Sequence, residues 1–356
     1  MKIAAVHAYL EKLPLTKPYT IAYKTIADTS IVFLEIVLDN GITGIGASNP
    51  FEEVVGETPL QTLENLQTDF VQQMVGKDIR AFNQLIDEAT LHFKHLPGTI
   101  AAIDIALHDA FCKHIDIAVA DLYGRKINAL PTSVTIGIKD IAAMVDEAKL
   151  NYNNGFRVLK IKTGLHVEED IERIVKLREA FAGDITIRVD ANQGYDFHQL
   201  NQFINATATL DVELIEQPLP RGSEEALLLF PEKERKKIAA DESLLDAGFA
   251  MQLAQQPLPF GIFNIKLMKC GGIKAANEIA TIAKYAGIDL FWGCNDESIA
   301  GISAALHIAY ACSNTKYLDL DGSFDLSRDL VSGGFMLKDG LMYCTGKAGL
   351  GIYKHD

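Results

Sequence analysis

Three acidic residues stand at nearly even spacing, each closing a short β-like run: Asp190 in ITIRVDAN, Glu216 in VELIEQP and Asp241 in KIAADES. The gaps of 26 and 25 residues match one strand plus one helix of a (β/α) barrel, in which the strand C-termini form a single face. Three hard oxygen donors on one rim suit a divalent cation, Mg2+ or Mn2+ rather than zinc. Asn192, two residues past Asp190, shares its side and could support the metal or its water. A lone acid at a strand end is more often a helix cap or a surface group, so the weight lies on the threefold repetition. Lys160 and Lys162 in VLKIKTG lie two apart, one strand earlier, and Lys266 in FNIKLMK lies one strand later. An isolated KxK reads as an exposed edge, but a closed barrel has no edge. Two ammonium groups on one face disfavour each other's charge, so Lys160 is expected to depress the pKa of Lys162 toward that of a working base. Bases on opposing strands reach opposite faces of one carbon, which is the geometry for inverting a stereocentre by 1,1-proton transfer. Lys269 competes with Lys266, but three residues on it leaves the strand for the Gly271-Gly272 turn, and Lys266 is preferred. A metal on a substrate carboxylate would stabilise the negative charge that develops when the neighbouring proton leaves.

The elements that must position these groups are legible from residue 130 onward. β-branched or apolar runs begin near Ser133, Val158, Ile185, Val212, Lys237, Phe263, Asp289 and Lys316, at intervals of 25 to 27 residues. Amphipathic segments such as VEEDIERIVKLREAFAG lie between them, and Gly155, Gly183 and Gly287 are expected to close helices. Eight alternating units imply an α/β fold with a parallel sheet closed into a (β/α)8-type barrel. A doubly wound open sheet is the alternative, although no Gly-rich turn follows the first strand. Residues 1–125 read as an α+β capping domain: a hairpin in TSIVFLEIVLDNGITGIGAS turning at Asp39-Asn40-Gly41, then helices over 59–76 and 80–95, then a helix in IAAIDIALHDAFCKHI apolar on nearly every face. The barrel is assigned to 126–325. A last hairpin turning at Asp339-Gly340 places 326–356 back on the cap, which would cover the barrel mouth.

Bulk composition excludes several functions. A net charge of −14 without a basic cluster leaves no footprint for nucleic acid. No window approaches the apolar length of a membrane span, so no membrane partner is expected. Five cysteines without paired spacing read as reduced thiols in a cytoplasmic protein. The nine histidines show no HxH or HExxH spacing and read as core or surface residues.

Over nearly its whole length, through KIK at 160–162, VDAN at 189–192, IEQP at 215–218, ADES at 240–243 and NIKLMKCGG at 264–272, the chain resembles the muconate-lactonizing-enzyme subgroup of the enolase superfamily. The resemblance implies a modified TIM barrel, (β/α)7β, under an α+β cap. It implies Mg2+ as cofactor, with Mn2+ as substitute, held by Asp190, Glu216 and Asp241. Lys162 and Lys266 would be the acid/base pair and Lys160 their electrostatic helper. Asp319 and Asp321 in YLDLDGS lie two apart at the mouth. Read alone they could bind a second metal, cap a helix, hold a cation or be solvated. They resemble the DxD motif of the dipeptide epimerases (the L-Ala-D/L-Glu epimerase family), where the pair binds the α-ammonium of the substrate.

That resemblance implies an isomerase inverting the C-terminal residue of L-Ala-Xaa dipeptides through a metal-stabilised enolate. The alternatives are an N-acylamino acid racemase or o-succinylbenzoate synthase of the same superfamily, or a non-catalytic metal-binding barrel. A substrate without a free amine would leave both acids unpaired in a closed site. Lys24 lies where relatives specific for Ala-Glu carry a basic residue, which favours an acidic second residue. Tyr19, Ile21, Tyr23 and Phe51 favour an apolar one. Glu297 keeps its family place in WGCNDES, where Asn295 and Asp296 make the wall polar. The expected partner is a small-molecule dipeptide, and a homo-oligomer is compatible with all of this.

Overall fold

The chain opens on a long antiparallel hairpin, β1 (Ile3–Ile21) and β2 (Lys24–Leu38), and turns at Asp39-Asn40-Gly41 into β3 (Thr43–Ser48). The structure is a computed structural model describing residues 1–21 and 24–355, with only the backbone of 19, 21 and 24. Short helices α1 (Glu52–Val55), α2 (Pro59–Leu66) and α3 (Asp69–Gln72) follow, then α4 (Phe82–His92), α5 (Pro97–His114) and α6 (Val119–Leu122). The single helix expected over 59–76 is broken at Thr68, which has extended backbone and donates its hydroxyl to Asn65 O at 2.7 Å. Helix α5 is buried on nearly every face, as its all-round apolar pattern requires. Strand β3 lies directly on it. A Cβ at Gly46 would sit 2.0 Å from Ala102 O, so only glycine permits this approach.

After the two-residue strand β4 (Leu130–Pro131), the alternation runs β5 (Val134–Ile136), α7 (Ile141–Asn153), β6 (Val158–Lys162), α8 (Val167–Phe181), β7 (Thr186–Asp190), α9 (Phe197–Thr207) and β8 (Val212–Glu216). It continues through α10 (Glu224–Leu227) and α11 (Glu232–Arg235) to β9 (Ile238–Ala240), α12 (Ala247–Leu253) and β10 (Ile262–Ile265). Helices α13 (Leu267–Cys270) and α14 (Ile273–Ala286), β11 (Asp289–Trp292), α15 (Ile299–Ala311) and β12 (Thr315–Leu318) complete it. The eight strands β5 to β12 pair in sequence order, all parallel. Ser133 N–H donates to Leu318 O at 3.0 Å and Thr132 bridges Leu318, which brings the first strand against the last. This is a (β/α)7β barrel, and each strand starts within one residue of its expected place. Helix α8 ends differently from expectation. Ala182, not Gly183, takes the positive φ (48°), and Arg178 Nη1 donates to its carbonyl at 2.9 Å.

The C-terminal strands β13 (Val331–Gly333), β14 (Phe335–Lys338), β15 (Leu341–Cys344) and β16 (Ile352–Lys354) form two small sheets, β13 with β16 and β14-β15 with β4. We propose the division into a cap of 1–125 with 326–356 and a barrel of 126–325. Supporting it are a cap core built from Ile3, Leu34, Ile36, Leu85, Ile103 and Leu107, and the ties from Leu350 N–H to Asp109 Oδ1 (2.8 Å) and Lys354 Nζ to Glu35 (2.6 Å). Asp104 of α5 crosses to the barrel, accepting from Ile273 N (2.7 Å) and Lys274 N (3.1 Å) at the start of α14. Gly272 (φ 104°) makes room, since a Cβ there would lie 2.6 Å from the Asp104 side chain. The outer end of the β1–β2 hairpin reaches the barrel mouth, with Thr16 N bonding Asp325 O (2.7 Å) and Ile138 N bonding Thr20 O (2.9 Å). Among the described residues no helix is long and apolar enough to cross a membrane.

Candidate active site

Between the cap and the C-terminal rim of the barrel lies a cavity of about 880 Å3. Strand order places the chemistry around it. Lys160 and Lys162 end β6, Asp190 ends β7, Glu216 ends β8, Asp241 follows β9, Lys266 follows β10, and Asp319 and Asp321 follow β12. Going round eight strands, β6 and β10 are diametrically opposed, and so are β8 and β12. The two lysine positions therefore face each other across one diameter. The acid triad, centred on β8, faces the Asp319/Asp321 pair across the perpendicular one.

Buried ion pairs hold the acids. Lys160 Nζ lies 2.8 Å from Asp319 Oδ2, 2.8 Å from Glu216 Oε2 and 3.0 Å from Asp190 Oδ2. Lys162 Nζ donates to Asp190 Oδ2 (2.7 Å) and Asn192 Oδ1 (3.1 Å), and Lys266 Nζ to Asp241 Oδ2 (2.8 Å). Burial works against the charge on Asp190, but Lys160 and Lys162 outweigh it and hold the carboxyl below its ordinary range. Lys266 and Lys269 do the same for Asp241. Glu216 goes the other way: burial, then the neighbouring Asp190, push it up to about 8. Burial opposes the charges of Lys160 and Lys266, yet the facing carboxylates hold both above the usual lysine range.

This donor set fits a divalent cation. Asn264 Nδ2 satisfies Glu216 Oε1 at 2.7 Å, but Oε2 accepts no well-formed hydrogen bond although it is buried. Three carboxylates on adjacent strands raise one another's energy, and a positive charge among them relieves that. Among the described residues no three acidic, histidine or cysteine groups converge on one point, and each acid of the triad lies within 3.0 Å of a lysine ammonium.

The DxD acids differ from each other. Asp319 is fully engaged, accepting from Ser133 Oγ (2.5 Å) and Lys160 Nζ (2.8 Å). Asp321 Oδ2 accepts from Thr135 N–H at 2.7 Å, the Thr135 hydroxyl also bonds this carboxyl, and Oδ1 lies 3.9 Å from the Cys294 thiol. Burial, then Asp319, push Asp321 up to about 7.

Of the other expected site residues, Asn192 and Phe51 line the cavity. Glu297 does not: it is buried behind the wall, where Oε1 accepts from Asn295 N at 2.9 Å. The side chains of Tyr19, Ile21 and Lys24, and all of Tyr23, lie outside the described residues. Lys269 is committed to Asp241 and to the carbonyls of Asp241 (2.6 Å) and Asn264 (3.1 Å). Sequence reasoning missed Asn264, Ser133, Glu242 and Gln217, whose Oε1 accepts from Asp241 N (2.9 Å) and Ser243 N (3.1 Å). Asn264 had a usable signal, lying two residues before Lys266 on the same strand face.

Outside the catalytic ring the cavity wall is acidic. Asp28, Glu52, Glu53, Asp146, Glu147, Asp296 and Asp325 line the outer part against only Lys17 and Lys139 among the described side chains.

Comparison with known proteins agrees with this geometry. The family model described as "Enolase C-terminal domain-like" matches residues 143–354, and that of the "Mandelate racemase / muconate lactonizing enzyme, N-terminal domain" matches 4–124. The chain is 50% identical to an L-Lys-D/L-Arg epimerase of Desulforapulum autotrophicum over 99% of both chains. It resembles the crystal structure of a dipeptide epimerase from Methylococcus capsulatus complexed with Mg and L-Arg-D-Lys, with TM-score 0.97, 45% identity and 99% of both chains covered. A dipeptide epimerase from Enterococcus faecalis complexed with Mg and L-Leu-L-Tyr matches at TM-score 0.93 and 35% identity over 100% of both chains.

Proposed function

From the chain's membership of the mandelate racemase / muconate lactonizing enzyme family of the enolase superfamily, we propose how it works as a dipeptide epimerase and which dipeptides it takes. It is an isomerase that depends on Mg2+. The observation that carries the mechanism is the pair of crossed diameters. A dipeptide whose C-terminal carboxylate sits at the β8 side and whose α-ammonium sits at the β12 side has its C-terminal α-carbon between Lys162 and Lys266. Mg2+ held by Asp190, Glu216 and Asp241 supplies positive charge beside the substrate carboxylate and so acidifies the adjacent α-proton. One lysine removes that proton from one face while the other returns a proton to the opposite face, which inverts the centre. Lys160 keeps the acids of both diameters compensated while this happens, since it contacts Asp190, Glu216 and Asp319 together. Asp321, whose described donors are all neutral, receives the α-ammonium.

The substrate side chains are cationic. Around the outer cavity seven acids outnumber four described lysines (Lys17, Lys139, Lys12 on Asp28 and Lys149 on Asp146), an excess that attracts Lys and Arg side chains and disfavours Glu. The acidic partner suggested by Lys24 and the apolar one suggested by Phe51 fit this wall less well. The names of the relatives point the same way: an L-Lys-D/L-Arg epimerase at 50% identity, and a structure holding L-Arg-D-Lys.

The test is mass spectrometry of dipeptide pools incubated with protein and Mg2+ in D2O, the pools pairing L-Lys, L-Arg or L-Ala with Lys, Arg, Glu or Leu. Label is expected first in the dicationic dipeptides. Preferential labelling of Ala-Glu or Ala-Leu would overturn the cationic reading, and label confined to N-succinyl amino acids would overturn the role given to Asp321.

A further inference from the structure

Glu242 directly follows the third acid of the centre, lines the cavity and is only 4% exposed. Nothing in the two-base reading uses it. Its Oε1 accepts from Asn192 Nδ2 at 3.4 Å, and its Oε2 has no partner although buried. Asn192 is itself held tightly. Its backbone takes the left-handed conformation (φ 42°), and its N–H is tied to Asp190 Oδ1 at 3.0 Å. Its Oδ1 accepts from Lys162 Nζ at 3.1 Å.

A side-chain amide has an acceptor end and a donor end, and which end faces a neighbour is decided by its other partners. With Glu242 taking the NH2 group, the oxygen of Asn192 must point at Lys162. Without that acceptor the amide is free to turn over and present N–H to an ammonium group, which disfavours the position Lys162 occupies. Lys266 has no such support: among the described contacts its ammonium is held by Asp241. The charge of Glu242 also acts on Lys266 through space, so charge does not distinguish the two bases. The acceptor does.

We infer that Glu242 is a positioning residue that fixes the orientation of the Asn192 amide and through it Lys162, so that it serves one of the two proton-transfer half reactions and not the other. The inference rests on the two-base reading above. Glu242→Gln keeps an acceptor and drops the charge, whereas Glu242→Ala drops both.

The experiment measures α-deuterium exchange of L-Arg-L-Lys and L-Arg-D-Lys in D2O with saturating Mg2+. It places each Glu242 variant in a Lys266→Ala background, where only Lys162 works, and in a Lys162→Ala background, where only Lys266 works. Glu242→Ala is expected to slow exchange about tenfold in the first background, as loss of a hydrogen-bonding partner does, and less than about twofold in the second. Glu242→Gln is expected to restore most of the first rate. An equal fall in both backgrounds would assign Glu242 to general support of the metal centre and overturn the inference, as would no fall in either. If the single-lysine variants failed to exchange one enantiomer each, the two-base reading itself would fall and take the inference with it.

Discussion

Replacing Asp321 by Asn should convert the enzyme's demand for a free amine into a mild preference. Asp319 already has both oxygens engaged by Ser133 and the Lys160 ammonium, whereas the described donors to Asp321 are neutral, Thr135 and the Cys294 thiol 3.9 Å from Oδ1. The substrate ammonium therefore gains its charge-assisted hydrogen bond chiefly from Asp321. Losing that bond while keeping the shape costs about 1.5–3 kcal/mol, or roughly a ten- to 150-fold fall in kcat/KM. The assay compares L-Arg-L-Lys with its Nα-acetyl derivative by chiral chromatography. Wild type should strongly prefer the free amine, and Asp321→Asn should lower only that rate, closing most of the gap. Binding of L-Lys-Gly, which has no C-terminal stereocentre to invert, gives a second readout by calorimetry. Burial and Asp319 raise Asp321 to about 7, and the ammonium needs the ionised acid, so affinity should rise as pH climbs through about 7. In Asp321→Asn that rise should disappear. Equal losses for free and acetylated substrates, or an unchanged pH profile, would refute the assignment.

Lys162→Ala and Lys266→Ala should each abolish epimerisation but retain α-deuterium exchange in opposite enantiomers, and normal epimerisation by Lys266→Ala would remove it from the acid/base pair. Raising NaCl from about 0.05 to 0.5 M should cut kcat/KM for L-Arg-L-Lys several-fold and leave L-Ala-L-Ala within about twofold, because screening acts on the acidic wall; parallel declines would count against steering. Chelation should remove activity and added Mg2+ restore it, while activity surviving chelation would dispose of the metal assignment. Asp104→Ala should cost about 2–3 kcal/mol in denaturant unfolding, since one buried and one half-buried N–H group at the start of α14 lose their acceptor; a loss under about 1 kcal/mol would show that cap and barrel do not depend on this contact.

Much of the fold was legible because each barrel unit repeats one local rule: Val158, Val212 and Asp289 were expected to start strands and do. The acids and lysines were legible for the same reason, since a strand end fixes where its last residue points. The partners of those residues were not. Ser133 meets Asp319 across 186 positions of sequence and Asn264 meets Glu216 across 48, contacts that only barrel closure creates. The sign of the substrate was hidden more deeply. Asp28, Glu52, Asp146, Asp296 and Asp325 come from five separate segments and form one acidic wall only when cap and barrel are assembled. Lys24, read singly, had pointed toward an acidic partner.

Helix α5 lies in the sequence of the cap, yet Asp104 on it holds α14 and Asp109 holds both β3, at Ile45 N (2.9 Å), and the C-terminal segment. The short helix α13, which Lys266 immediately precedes, also packs against it. The part of the molecule that chooses substrates and the part that carries a base thus share one inherited strut. Recombination between relatives that broke the chain within 97–114 would strand two buried carboxylates and release the loop behind Lys266. Exchange of a cap between relatives therefore has to carry this helix together with the segments it holds, or leave it intact.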